Sequence, residues 1–289
     1  MPGETRRTAF AQPDWLRSVP RDRRLPEDAR VVFTGCGTSY HAAQTGGWAI
    51  QALEAVLSPP EADLMVCVSH QGDTPATVEA AKSFFGPKWL VTGVADSPLA
   101  ELADEVIVAT PEIEASWCHT ASYTCSVAAI AALQGEDVGW LPGAVEAALT
   151  FSEPVPEQAK ILVAGAGRDW PTAQEAVLKL REGAWVSAGA HQTEQLLHGH
   201  LAAVDESVRA YVLEGEGRAA ERARDAVAAL EALGCETTLV PTHHPAVDIV
   251  RFHLLTLAVA EARGIDPDPI RRTPGSPWAK AAGSAYPGP

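Results

Sequence analysis

The chain has 289 residues and a mass of 30.5 kDa, a length that predicts two domains rather than one small core. Apolar residues make up 46% and charged residues 20%, which excludes a disordered or collagen-like chain in spite of 23 glycines and 22 prolines. With 22 basic against 37 acidic side chains the formal charge is -15, which opposes nonspecific binding to nucleic acid or an acidic membrane and leaves a small molecule as the expected partner.

Residues 1–30 hold seven arginines and no apolar run of signal-peptide length, and nowhere do 18 apolar residues run together, so a cytoplasmic protein with an N-terminal arm over 1–25 is expected. The five cysteines form no CxxC pair and predict core thiols, not a disulfide framework. Val31 to Gly35 reads as a buried strand that enters the Gly-rich turn Gly35-Cys-Gly-Thr-Ser39, with helix-compatible sequence to about Val56. A second unit follows: apolar Leu64 to Val68, the polar turn Ser69-His-Gln-Gly-Asp-Thr74, then helix to about Phe85. Trp89 to Val94 and Val106 to Val108 are the next strands, and this alternation predicts an α/β domain over 26–150 with a parallel sheet flanked by helices on both faces.

After the Pro- and Glu-containing stretch 151–158 the pattern restarts. Ile161-Leu-Val-Ala-Gly-Ala-Gly167 echoes Val31-Val-Phe-Thr-Gly-Cys-Gly37 at an offset of 130 residues, which reads as an internal duplication and a second domain over 151–265. Strands are expected near Ala210 to Leu213 and Thr237 to Val240, and helices near Ala219 to Leu233 and Ala246 to Ala262. From Gly264 on there are six prolines and four glycines, so residues 266–289 are expected as an extended tail over the body.

Several chemistries compete. The two Gly-x-Gly turns lack the third glycine of a dinucleotide fingerprint, Tyr40 and Trp170 standing there, and there is neither a phosphate loop of the GxxxxGK[ST] type nor a GxSxG elbow, so no cofactor is expected. His191, Glu194, His198 and His200, with His243-His244 further on, match no zinc spacing and read as acid–base or hydrogen-bonding groups, without a metal. The loops at Gly35 to Ser39 and Ser69 to Thr74 each leave a buried strand and open a helix, where unsatisfied N–H groups and hydroxyls of Thr38, Ser39, Ser69 and Thr74 suit an oxyanion. Capping of the helices is the plainer role for Ser39, Asp73 and Thr74. Lys179 and Glu182, three apart on a helix, followed by His198 in an apolar turn, combine ammonium, carboxylate and imidazole in a set suited to proton transfer on a carbonyl compound.

At these residues the sequence resembles the double-domain sugar isomerase (SIS) family, in particular the isomerase half of glucosamine-6-phosphate synthase, over nearly its whole length. Gly35-Cys-Gly-Thr-Ser39 matches the family's GCGTS, and Ser69-His-Gln-Gly-Asp-Thr74 takes the place of SQSGET. Glu114 to Thr124 resembles the stretch ending in TKAFT, Ala176 to Glu182 resembles ALKLKE, and Glu194 to Leu201 resembles GELKHGPL. The resemblance implies two tandem SIS domains, each three-layered and flavodoxin-like. It also implies a sugar phosphate held by Gly37, Thr38, Ser39, Ser69, His70, Gln71, Thr74 and Glu114. By the same carry-over Glu182 is the base that moves a proton between C1 and C2, His198 opens the ring, Lys179 binds or polarises the open-chain sugar, and Lys280 of Trp278-Ala-Lys resembles a tail lysine of the site. A homodimer sharing its site between subunits is implied as well.

Gln71 replaces the family's second loop serine, Ala121 replaces the lysine of TKAFT and His200 replaces proline after His-Gly. A sulfonated or unphosphorylated sugar is therefore an alternative ligand. The start Met1-Pro2 lacks the nucleophilic cysteine of a glutamine-hydrolysing half, so the expected reaction is aldose–ketose isomerisation through an enediol, with amino-sugar-phosphate deamination or a non-catalytic sugar-phosphate-binding regulator as alternatives.

Overall fold

Short, almost uncharged aliphatic runs build the first sheet of the computed structural model, which describes residues 3–285. Its strands are β1 (Val31–Gly35), β2 (Ala49–Gln51), β3 (Leu64–Val68), β4 (Lys88–Thr92) and β5 (Glu105–Val108). Their order is β2-β1-β3-β4-β5 and every neighbouring pair is parallel. All five residues of β3 are buried, which is why Leu-Met-Val-Cys-Val has no polar side to alternate with. The strand order reverses between β1 and β3, so the two loops leaving those strands open side by side at one end of the sheet.

The chain divides into two units, residues 3–147 with the tail from 268, and residues 148–267. The first contains α1 (Glu4–Arg17), α2 (Thr38–Gln44), α3 (Ala52–Leu57), α4 (Pro75–Ser83), α5 (Ala121–Leu133) and most of α6 (Leu141–Ala148). All thirteen residues of α5 are buried, and a helix enclosed on every side needs small and apolar residues all round, as Ala-Ser-Tyr-Thr-Cys-Ser-Val-Ala-Ala-Ile-Ala-Ala-Leu supplies. The helix expected up to Val56 is broken by the edge strand β2. Gly46 and Gly47 end α2, Gly47 at φ +104°, and a Cβ on Gly46 would lie 2.5 Å from the Phe33 ring. Gln51 must then be extended, since its side chain caps α3 by accepting from the N–H groups of Leu53 and Glu54.

The second unit has β6 (Lys160–Gly165), β7 (Ser187–Gln192), β8 (Val208–Leu213) and β9 (Glu236–Val240) in the order β7-β6-β8-β9, again all parallel. Helices α7 (Trp170–Ala184), α8 (Thr193–Leu197), α9 (Arg218–Ala232) and α10 (Pro245–Ala262) flank it. β7 was outside the sequence reading because Ser-Ala-Gly-Ala-His-Gln carries no β-branched residue; the chain turns into it through Trp185, held in the left-handed region at φ 53°. The stretch 151–158 is stapled down, since Glu153 accepts from Arg209 Nη2 at 3.0 Å and from Arg251 Nε at 2.8 Å, with Arg209 and Glu153 both under a tenth exposed.

The tail differs from the extended segment expected. Residues Pro277–Ala285 form α11, and Asp268 reaches the start of α1, accepting from the N–H groups of Glu4 (3.0 Å) and Thr5 (2.8 Å) and from the Thr5 hydroxyl (2.6 Å). Those bonds outweigh burial and hold the Asp268 carboxyl below its ordinary range. Residues 4–17 are therefore a helix packed on α5 and capped from the other end of the chain, where an arm was expected.

Candidate functional site

At the end of β1 the chain passes from Gly35 through Gly37, at φ +55°, into α2. A Cβ at Gly35 would lie 2.9 Å from the Val68 carbonyl oxygen and 3.0 Å from the Ser39 backbone, so glycine is what lets the two loops approach. Ser69 is buried and its hydroxyl lies 3.2 Å from that of Thr74, which opens α4. The loop between them is pinned: Gly93 N–H donates to the His70 carbonyl (2.8 Å), Leu99 N–H donates to Gly72 (2.9 Å), and Gly72 sits at φ +66° against Ser97. Thr38, Ser39 and Thr74 are half-buried, while Gly37 and Gln71 are exposed at the loop crests. The first-unit residues expected to bind ligand are thus gathered at the reversal point of the sheet, except for His70 and Glu114.

Those two face inward. His70 is buried, with its Nε2 accepting from the Glu114 N–H at 2.8 Å and its ring edge-on to His119 at 5.1 Å. Burial, then the charge of His119, pushes the imidazole down to about 4, so at neutral pH it is uncharged with its proton on Nδ1. Glu114 is 1% exposed and caps α5 with both oxygens. Oε1 accepts from Thr120 N–H and hydroxyl at 2.8 Å each and from Ala121 N–H at 3.3 Å; Oε2 accepts from Ser122 N–H at 2.9 Å and its hydroxyl at 2.6 Å. Burial raises this carboxyl, but His119 and the Ser122 bonds prevail and hold it at about 2. The positive end of α5 is therefore neutralised from within the protein, and Glu114 positions the loop instead of contacting a ligand.

In the second unit, α7 aligns Glu175, Lys179 and Glu182 at intervals of four and three residues, hence on one face. Lys179 is fully buried, with its Nζ 2.6 Å from Glu182 Oε2 and 3.4 Å from Glu175 Oε1. Glu182 retains 22% exposure. The ammonium thus lies behind the Glu182 side chain with no surface of its own for a ligand, and the short contact holds Glu182 in one orientation. Glu175 was missed in the sequence, although its spacing before Lys179 and Glu182 was the available signal. His198 ends α8 with its side chain 70% exposed; its Nε2 lies 2.9 Å from Glu194 Oε1, and Glu194 is itself held by Arg222 at 2.7 Å. No hydrogen bond or ion pair joins His198 to Glu182 within the described chain. Lys280 is exposed on α11, in the unit of residues 3–147 with the tail.

No protein-family model matches the chain. The glutamine–fructose-6-phosphate aminotransferase (isomerising) of Zymomonas mobilis is 25% identical, in an alignment covering 89% of this chain and 54% of that protein. The chain therefore spans about half the length of this relative. Among solved structures, tagatose-6-phosphate ketose/aldose isomerase of Escherichia coli superimposes with a TM-score of 0.76 at 17% identity, covering 93% of this chain and 95% of that one. Glucosamine-6-phosphate deaminase of Thermotoga maritima gives 0.74 at 19% identity, over 95% and 98%.

This chain resembles the SIS phosphosugar isomerases. Against that fold, two departures from the pattern of the resemblance take on physical form. Ala121, where the resemblance leads one to expect lysine, is completely buried and its N–H is already bonded to Glu114. Gln71 stands exposed at the tip of the second loop.

Proposed function

We propose that the protein is an aldose–ketose isomerase of sugar phosphates, built from two tandem SIS domains and working as a homodimer. The observation that carries this reading is the state of Glu182: a partly exposed carboxylate locked at 2.6 Å by a fully buried lysine. A surface ion pair on a helix does not bury its lysine, because removing an ammonium from water is costly unless its charge is needed in place. In this reading Glu182 takes the proton from C2 of the open-chain aldose to leave an enediolate, the hydroxyl proton passes from O2 to O1, and the Glu182 carboxyl returns its proton to C1 to complete the ketose. Lys179 and Glu175 position it. His198, oriented by Glu194, exchanges a proton with the ring oxygen, and the hydroxyls of Thr38, Ser39, Ser69 and Thr74 receive the phosphate.

The test is solvent-deuterium exchange at C2 of glucose 6-phosphate and at C1 of fructose 6-phosphate, with Glu182→Gln beside the parent chain. General-base catalysis contributes about 10²- to 10⁴-fold, and a loss in that range with sugar binding retained is expected. Undiminished exchange in Glu182→Gln would remove the assignment. The similarity to a deaminase keeps a second reaction in view, since removal of ammonia from an amino sugar phosphate uses the same proton transfer. Release of ammonia from glucosamine 6-phosphate in the same samples separates the two.

A further inference from the structure

His198 sits on a turn whose position its own hydrogen bond cannot fix. That bond goes to Glu194, and with the two side chains 70% and 51% exposed, water and salt screen it. On the near side the chain is anchored, because Leu196 is fully buried in the core of the second unit and Leu197 packs against it. On the far side stands Gly199 at φ +147°, a conformation that glycine adopts and other residues rarely do. A glycine leaves His198 free to swing unless the chain beyond it is held.

What holds it is a pair of imidazoles. His200, directly after the glycine, places its ring 4.6 Å from that of His191, centroid to centroid, with the planes inclined at 49°. His191 is half-buried near the end of β7. The strand leaves room for its ring: residues two apart share a face, and a Cβ on Gly189 would lie 3.3 Å from His191 Nε2. Burial, and then the charge of His200, holds His191 below its ordinary range, so at neutral pH the two rings meet as packed rings and not as two cations. Beyond His200 the Ala202 N–H donates to the Gly199 carbonyl at 3.2 Å, and Leu201 and Val204 return to the core that holds Leu196. The resemblance would place proline at position 200, which stiffens a turn through its fixed φ; histidine leaves φ free, so its ring supplies the restraint.

We propose that His191 and His200 are positioning residues, whose ring contact seats the Gly199 turn on β7 and thereby fixes where His198 is presented. The consequence for chemistry rests on the role given to His198 under the proposed function: a seated turn brings its imidazole to the ring oxygen of a closed sugar. Neither histidine of the pair touches the substrate in this scheme. Their effect is confined to ring opening, and the proton transfer by Glu182 does not depend on them.

The test joins a measurement that needs no activity to a kinetic one, on the full chain and its His200→Ala, His191→Ala and His200→Phe variants. Hydrogen exchange at the Ala202 amide is expected to quicken by about 2- to 12-fold in each alanine variant, the range a ring pair contributes, and no further when the two are combined. His200→Phe, which keeps a ring, should restore the parent rate. With fructose 6-phosphate, whose furanose must open, kcat should fall by a similar factor in the alanine variants with KM unchanged, and recover in His200→Phe. With 5-deoxyfructose 6-phosphate, which lacks the hydroxyl that closes the furanose, kcat should stay at the parent value. Unchanged exchange in the alanine variants overturns the proposal, and so does an equal fall in kcat on both sugars, because the unit as a whole would then have loosened. If the parent chain isomerises neither sugar while the exchange rates change as expected, the isomerase reading fails and the seating of the His198 turn by the two rings stands.

Discussion

Replacing Glu114 by glutamine should destabilise the unit of residues 3–147 at neutral pH and have little effect in strong acid. Among the described residues, Thr120, Ala121 and Ser122 at the start of α5 direct five hydrogen bonds to the carboxylate, three on Oε1 and two on Oε2. A glutamine side chain offers one oxygen and one NH₂, so whichever way it turns, donors at Thr120 or Ser122 face another donor. An unmet buried donor costs about 1–3 kcal/mol. The carboxyl itself leads to the same magnitude. Held at about 2 in the folded protein against 4.5 for the free side chain, it stabilises the fold by about 3 kcal/mol at neutral pH, since each tenfold change in proton affinity is worth about 1.4 kcal/mol. The sign follows from the depressed value: the stabilisation is complete above pH 4.5 and disappears as the pH falls towards 2. Urea unfolding of the parent and Glu114→Gln proteins at pH 7, 4.5 and 2.5 measures the gap directly. A gap of about 3 kcal/mol at pH 7 that closes towards pH 2.5 is expected. A gap that is the same at all three values would show that Glu114 contributes by shape and not as a charge.

His70, buried and bonded through Nε2 to the Glu114 N–H, should titrate near pH 4 when its ring nitrogens are followed by NMR, and stability tied to its neutral form should fall as the pH drops from 6.5 through 4; protonation above pH 6 would contradict its placement. Glu153→Ala should cost about 3–5 kcal/mol in the unit of residues 148–267, because it strands two arginines beside a buried space, and a loss below about 1 kcal/mol in urea unfolding would mean that water already screens them. Gly35→Ala should cost about 1–3 kcal/mol and weaken sugar-phosphate binding, as its Cβ meets the Val68 carbonyl at 2.9 Å, whereas unchanged melting would show the two loops free to part. Asp268→Ala should expose the Thr5 amide to hydrogen exchange and cost about 1 kcal/mol, with retained protection counting against capping from the tail.

Much of the parallel architecture was legible because buried central strands and their turns are local signals. Val31–Gly35 and Leu64–Val68 have the bounds expected of them, since a strand covered on both faces must be apolar throughout and stop where a polar turn begins. Edge strands were not legible: Ala49–Gln51 and Ser187–Gln192 are held by pairing with β1 and β6, so their own residues need no strand preference. The same division runs through the candidate sites. Spacing on a helix placed Lys179 and Glu182 on one face, because 3.6 residues per turn is a property of the local chain. That Lys179 is fully buried and Glu182 partly exposed is settled by what packs around α7. Glu114 and His70 read as ligand contacts in the family pattern, yet their partners lie 6–8 and 44 residues away, and only the folded chain shows those side chains turned inward. The sequence by itself determined where strands end and glycines let loops approach, because those depend on local conformation and size. Tertiary structure alone decided which polar groups face a ligand and which satisfy one another, because desolvation and hydrogen bonding depend on neighbours brought together from distant parts of the chain.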